Sequence, residues 1–195
     1  MKSNNIIGLS GAKGSGKSVV AQYLMDNYNY HEYAFAMPLK NALNAIFQFS
    51  PEQLHGNKKE EVDKYWGVSP RELMQSVGTD LFRNELGRGC KNFGSSDDIW
   101  VRCFDRWIQT INNNSQQEQK NSNIVVSDIR FENEANKVRE LGGIIINIKR
   151  NTDINQYSQH ESENNKNSLS KYFNYEIENN SSKEELYEKI KKIIE

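Results

Sequence analysis

Ile6-Ile7-Gly8-Leu9-Ser10-Gly11-Ala12-Lys13-Gly14-Ser15-Gly16-Lys17-Ser18 decides how the chain must fold. Ile6 to Leu9 is a short apolar run that stops at a glycine-rich turn, the pattern of a buried strand. From Lys17 the spacing turns helical, with Val20, Tyr23, Leu24 and Met25 forming an apolar stripe up to about Asn27. The segment between them, Gly11 to Ser18, satisfies G-x-x-x-x-G-K-[ST] at every position. Glycines let a backbone wrap around an anion with its N–H groups turned inward, and a helix N-terminus adds a favourable dipole. Lys17 offers a positive charge that can follow β- and γ-phosphates, and the Ser18 hydroxyl offers a ligand to Mg2+. The spacing therefore predicts a phosphate-binding loop in which Gly14, Ser15, Gly16, Lys17 and Ser18 hold a nucleoside triphosphate with its Mg2+.

A second acid is expected near that loop. Ile124-Val125-Val126-Ser127-Asp128 reads as a β-branched strand ending in a carboxylate, and open α/β sheets bind ligands at the carboxyl ends of their strands. Asp128 can hold magnesium through water or orient an acceptor. Two residues on, Arg130 offers a planar fork to an anionic phosphate, and Glu134 lies one helical turn further along. The plainer alternative makes Asp128 a helix cap and Arg130 surface charge; the phosphate-binding loop in the same chain favours function. Lys13 in the loop, Lys40 and Arg71 occupy places that suit an anionic ligand, although each also reads as ordinary solvated charge. Trp100 could stack on a base, but a tryptophan in an amphipathic helix is more often core. His31, His55 and His160 show no metal-binding or triad spacing.

The remaining periodicities supply the frame. Helices are expected after Pro38 (Leu39, Ala42, Leu43, Ile46), from Pro70 with Ser69 as N-cap (Leu73, Met74, Val77, Leu81), and over Ile99–Ile111. Others are expected over Glu132–Leu141, stopped by Gly142-Gly143, and over Lys183–Ile194. Ile144 to Ile148 reads as another buried strand and Tyr175 to Ile177 as a short last one. Residues 50–70 read as loop or short helices and 87–97 as a surface loop. Strands alternating with helices predict an α/β P-loop NTPase fold, a parallel sheet covered by helices on both faces in three layers. Its 195 residues suit a single domain, 1–195, with 151–167 as a candidate mobile loop.

Bulk composition narrows the partners. A net charge of −1 advertises no nucleic acid or anionic membrane. No run of about 18 apolar residues exists, and the start lacks a secretory h-region, so a soluble, cytoplasmic protein is expected. Cys90 and Cys103 lack metal-ligand and C-x-x-C spacing and are expected to be reduced thiols. Monomer and homodimer are both left open.

Several blocks, in order, resemble the bacteriophage-type deoxynucleoside monophosphate kinases. They are Gly11–Ser18, Ala36-Met37-Pro38-Leu39-Lys40-Asn41-Ala42-Leu43, and Arg71-Glu72-Leu73-Met74-Gln75-Ser76-Val77-Gly78-Thr79-Asp80, the most specific of them. Trp100-Val101, Ser127-Asp128-Ile129-Arg130 with Glu134, and Leu141-Gly142-Gly143 follow, then His160 to Glu163 and Asn179 to Leu186. The resemblance implies ATP-dependent phosphorylation of a deoxynucleoside monophosphate (dNMP) to the diphosphate. It also implies that Lys13, Lys40, Arg71, Gly78, Thr79, Trp100, Asp128, Arg130 and Glu134 line the monophosphate site, with Lys17, Arg71, Asp128 and Arg130 catalytic and Ser18 and Asp128 at the metal. The stretch from Leu43 to Arg71 is shorter than in phage members, so base preference does not carry over.

Other acceptors, such as dephospho-coenzyme A or a nucleoside, are compatible with the loop alone. So is a nucleotide-binding module that transfers nothing. The Asn-Lys-x-Asp guanine motif of GTP switches is missing, and the intact Lys17, Ser18 and Asp128 argue against an inactive paralogue.

Overall fold

A computed structural model of the chain describes residues 5–90, 93, 95, 97–115, 122–150 and 166–195. Five strands, β1 (Ile6–Gly11), β2 (Tyr30–Tyr33), β3 (Asn123–Val126), β4 (Ile144–Lys149) and β5 (Tyr175–Glu178), form one sheet in the order β2-β3-β1-β4-β5. Every pairing is parallel, with Gly8 opposite Val126 on one side and Ile145 on the other. Parallel strands buried on both faces must be apolar at consecutive positions, and β3 and β4 are: Ile124, Val125, Val126, Ile145, Ile146 and Ile148 are fully buried.

The described residues divide into two compact units, 1–35 with 106–195 and 36–105. In the first, helix α1 (Lys17–Tyr28) and the C-terminal helix α9 (Lys183–Ile194) cover one face of the sheet. Val20, Ala21 and Leu24 of α1 and Leu186 and Ile190 of α9 pack there with Ile7, Leu9, Val125, Ile146, Ile148 and Ile177. Tyr23 stacks on Tyr187 with ring centroids 4.2 Å apart and planes 7° from parallel, fastening the two helices together. Helix α7 (Glu132–Glu140) takes the other face. Gly8 points that way, and the space a β-carbon would fill there is occupied by Ile129, with Ile145 and Val138 beside it. Sheet, α1 with α9, and α7 are the three layers expected.

In the second unit, α2 (Met37–Phe47) buries Leu39 and Leu43 but leaves Ile46 64% exposed, outside the apolar stripe expected of it. Residues 50–70 form short elements. These are α3 (Pro51–Leu54), a single 3₁₀ turn (Asn57–Glu60), and a loop tied by Asp63, whose carboxylate accepts from Gln53 Nε2 at 2.8 Å and from the backbone N–H groups of Tyr65 and Trp66. Ser69 opens α4 (Pro70–Gln75) through a capping box: its Oγ accepts from Glu72 N at 3.2 Å, and Glu72 Oε2 accepts from Ser69 N at 2.9 Å. The helix then widens into a π-helix over Ser76–Glu85, where Leu86 N reaches back to Leu81 O. The helix expected as far as Leu81 is regular only to Gln75, six residues earlier, and Leu81 is 52% exposed. The short α5 (Leu86–Gly89) follows. Helix α6 (Ile99–Ser115) begins in the second unit and its residues from Arg106 belong to the first. The remaining described elements are α8 (Lys166–Leu169) and a 3₁₀ turn (Ser170–Tyr172).

Candidate functional site

Parallel pairing puts the carboxyl ends of β1 and β3 on one edge of the sheet, so the loop after Gly11 and the residues after Val126 emerge side by side. Gly11, Gly14 and Gly16 have φ of +144°, +78° and +111°, backbone that side chains with a β-carbon rarely adopt. A β-carbon on Gly11 would also collide with the Ile148 carbonyl oxygen and fall 2.7 Å from Ser15 Oγ. Helix α1 starts at Lys17 with no side chain capping its N-terminus, so its first N–H groups are left to a ligand or solvent. Lys17 Nζ donates to Gly11 O at 2.7 Å and to Ala12 O at 2.8 Å, folding the ammonium over the loop's own carbonyls. Ser15 is buried, and its Oγ has no hydrogen-bond partner among the described residues. An anion supplies an acceptor for these donors, so the loop as built fits a phosphate chain. Lys13, Gly14 and Ser18 lie on its exposed side.

Asp128 follows β3 and is held from two sides. Its Oδ1 accepts from Phe35 N at 2.6 Å, and its neighbours Ser127 and Ile129 donate backbone N–H groups to Tyr33 O and Leu9 O. Glu134 is buried, and its Oε2 accepts from Arg130 N at 2.9 Å and Phe131 N at 3.1 Å. The glutamate thus closes the entry to α7 and fixes the backbone that carries Arg130. The structure brings Lys13, Gly14 to Ser18, Asp128, Arg130 and Glu134 to one unit.

The second unit carries Lys40, Arg71, Gly78, Thr79 and Trp100. Lys40 Nζ lies 3.5 Å from His55 Nδ1, and the His55 pKa is lowered, first by partial burial and then by the charges of Lys40 and Lys59. Arg71 Nε is 3.6 Å from Glu60 Oε1. Gly78 and Thr79 are buried within the π-helix, and Gly78 lies so close to Leu39 that a β-carbon would sit 2.5 Å from Leu39 Cδ2. Trp100 is a core residue, as its helical setting suggests: it is 7% exposed, donates Nε1–H to Gly78 O at 3.2 Å, and meets Phe82 edge to face. Residues 151–165 and His160 lie outside the described residues, as does most of the 151–167 segment expected to move.

Two contacts were not legible in the sequence. Arg83 is buried in the π-helix with Nη1 donating to Asp97 O at 3.1 Å; one arginine in a polar stretch gave no signal of burial. Asn179, at the end of β5, donates its side-chain amide to Ser15 O at 2.8 Å across 164 residues of sequence. Among the described residues no cluster of three metal-ligating side chains exists, and no helix is long and apolar enough to cross a membrane.

A phosphate loop between the central strand and its following helix, an acid after the neighbouring strand, and this strand order define a P-loop kinase. Solved structures agree on the fold: dephospho-CoA kinase from Campylobacter jejuni superposes with a TM-score of 0.51 at 16% identity, covering 98% of this chain and 96% of that one. A Thermus thermophilus protein gives 0.51 at 19% identity, covering 99% and 97%. The family is settled by sequence. The model for deoxynucleotide monophosphate kinase matches residues 5–63 and 48–190. A protein of Acanthamoeba polyphaga mimivirus named as a deoxynucleotide monophosphate kinase is 36% identical over 188 residues, 95% of this chain and 93% of the relative. The chain belongs to the deoxynucleotide monophosphate kinase family and is a phosphotransferase.

Proposed function

We propose that the protein phosphorylates a deoxynucleoside monophosphate to its diphosphate with ATP and Mg2+, by direct in-line transfer. One observation carries the donor half of this reading: the phosphate loop presents positive-φ glycines, an uncapped helix N-terminus, an orphaned Ser15 hydroxyl and Lys17 on one short segment. Family membership supports the acceptor half.

Donor and acceptor are both anions, so catalysis consists of aligning them and neutralising their repulsion. Gly14, Ser15 and Gly16 offer backbone N–H groups to the triphosphate. Lys17 exchanges the Gly11 and Ala12 carbonyls for phosphate oxygens and follows the transferred group. Ser18 Oγ and the Asp128 carboxylate are the residues that would hold the magnesium, which when bound supplies charge neutralisation at the phosphates. Asp128 also orients the acceptor from a position fixed by Phe35 N–H. Arg130, its backbone held by Glu134, takes the monophosphate through its fork. Lys13, Lys40, Arg71, Gly78, Thr79 and Trp100 are assigned to the acceptor by the family resemblance, with Trp100 and Gly78 acting through the π-helix they brace. No covalent intermediate is needed.

The test is a coupled ADP-release assay with ATP-Mg2+ against dNMPs, NMPs, nucleosides and dephospho-coenzyme A. Turnover is expected with one or more dNMPs. Faster phosphorylation of unphosphorylated nucleosides or of dephospho-coenzyme A would sink the assignment.

A further inference from the structure

Each contact of the phosphate loop described above lies within its own segment or with the neighbouring strand β4, except one. Asn179 Nδ2 donates to Ser15 O at 2.8 Å. A β-carbon on Gly16 would lie 2.5 Å from that same nitrogen, so the amide is seated against the Ser15–Gly16 peptide, and glycine at 16 makes room for it. We infer that Asn179 is a positioning residue for phosphate transfer, holding the Ser15–Gly16 peptide in the orientation that turns the Gly16 N–H toward the triphosphate.

The geometry leaves little freedom in sign. Across a planar trans peptide, C=O and N–H point in opposite directions. An amide that captures Ser15 O therefore aims the Gly16 N–H to the opposite side. Gly16 has φ 111° and ψ 7°, in a region where no side chain resists rotation of the preceding peptide. Without a clamp, a rotation of that one peptide replaces an N–H donor with a carbonyl oxygen, and the loop would face a polyanion with a negative dipole. Ser15 Oγ has no described hydrogen-bond partner and does not oppose such a rotation.

Asn179 is itself well placed to act as a fixed point. Its backbone N–H donates to Lys149 O at 2.7 Å, adding one bond beyond the β4–β5 ladder. Lys189 Nζ from α9 donates to Glu178 O at 3.0 Å, just before it, and Leu186 packs beside Gly16. Only the amide nitrogen of an asparagine can face a carbonyl oxygen favourably, so the role requires a donor and tolerates no carboxylate.

The inference rests on Gly11–Ser18 being the triphosphate site. The experiment titrates a non-hydrolysable ATP analogue with Mg2+, and separately inorganic tripolyphosphate, into the full chain by calorimetry. Wild type, Asn179→Ala, Asn179→Asp, Asn179→Gln and Asn180→Asp are compared, with thermal melting as a check on folding. Asn179→Ala is expected to weaken both ligands about tenfold, the scale of one net hydrogen bond, and Asn179→Asp more, because its carboxylate repels Ser15 O. Asn179→Gln, which keeps a donor, recovers part of the loss. Asn180→Asp places the same charge one residue away on the surface and is expected to change affinity by no more than about twofold. In kinetics the KM for ATP rises in the Asn179 variants while the dNMP KM holds.

Unchanged affinity in folded Asn179→Ala and Asn179→Asp overturns the clamp, and so does a loss confined to the ATP analogue. If Asn179→Asp does not fold, Asn179→Ser, too short to reach Ser15 O, replaces it, and full affinity there is equally fatal. A wild-type chain that binds both ligands but phosphorylates no dNMP leaves the clamp standing and removes the acceptor assignment instead.

Discussion

Lys17 folds over the carbonyls of Gly11 and Ala12, acceptors that a phosphate oxygen replaces in the proposed reaction. Lys17→Ala is expected to keep its fold and lose turnover by about 10²–10³-fold, the scale of removing one charge that stabilises a transition state. A folded variant with near-normal turnover would take the loop out of the mechanism. Arg130 and Arg71 make the complementary case. A charge-assisted hydrogen bond contributes about 1.5–3 kcal/mol, so replacing either arginine by alanine should lower kcat/KM for the dNMP roughly tenfold to several-hundredfold, at about 1.4 kcal/mol per decade. Binding of the ATP analogue alone should hold. An arginine whose loss abolishes analogue binding while the dNMP KM stands belongs to the donor side. Single residues were legible in the sequence where their chemistry is local: Gly11 to Ser18 declare themselves by type and spacing. Glu134 does not, because a carboxylate one turn into a helix reads equally as ligand or cap, and only its bonds to Arg130 N and Phe131 N show the second function.

At the level of elements, strands and helices with strong apolar periodicity were readable and the others were not. Strand β2, Tyr30-His31-Glu32-Tyr33, has no signature in the sequence because it lies at the edge of the sheet and exposes His31 and Glu32, so no apolar run marks it. The π-helix is indistinguishable in sequence from a continued α-helix because both carry apolar residues three and four apart; in the π-helix Leu81 is 52% exposed. The start of α4, by contrast, was plain from Ser69-Pro70 followed by Glu72. That capping box gives an element-scale prediction. Ser69→Ala should destabilise the protein by about 0.5–2 kcal/mol, read as a lower melting midpoint. The Ser69 hydroxyl, then its backbone N–H, hold the Glu72 carboxyl below the ordinary carboxylate range. A depressed acid contributes stability that is present above its unfolded pKa, about 4.5, and lost as pH falls through its lower folded value. The gap between wild type and Ser69→Ala should therefore be widest near neutrality and narrow in acid. A gap that widens in acid would contradict the cap.

For the molecule as a whole, the proposed donor residues fall in the first unit and the proposed acceptor residues in both, a distribution that hydrogen exchange can read. The ATP analogue with Mg2+ is expected to protect amides of Gly11–Val20 in the first unit. A dNMP is expected to add protection around Lys40, Arg71 and Gly78 in the second. Protection by the dNMP confined to the first unit would remove the acceptor role of those residues. Ligand present at 100 times its Kd should also raise stability by about 2.7 kcal/mol, and Lys17→Ala should forfeit most of that gain.

The strand order carries a consequence for how the protein comes into being. A ribosome delivers β1 and the phosphate loop before the other four described strands, yet β1 sits at the centre of the sheet between β3 and β4. Its partners arrive more than a hundred residues later, from Asn123 onward. Asn179, the side chain that captures Ser15 O, comes later still, after the five described strands have been made. A nascent chain therefore carries the complete GAKGSGKS signature while β3, β4 and β5 are still to be made, without the surroundings that give that signature its shape. The shape of that segment therefore waits on residues made more than a hundred positions after the segment itself, and the motif and its setting are separate events in the life of the chain.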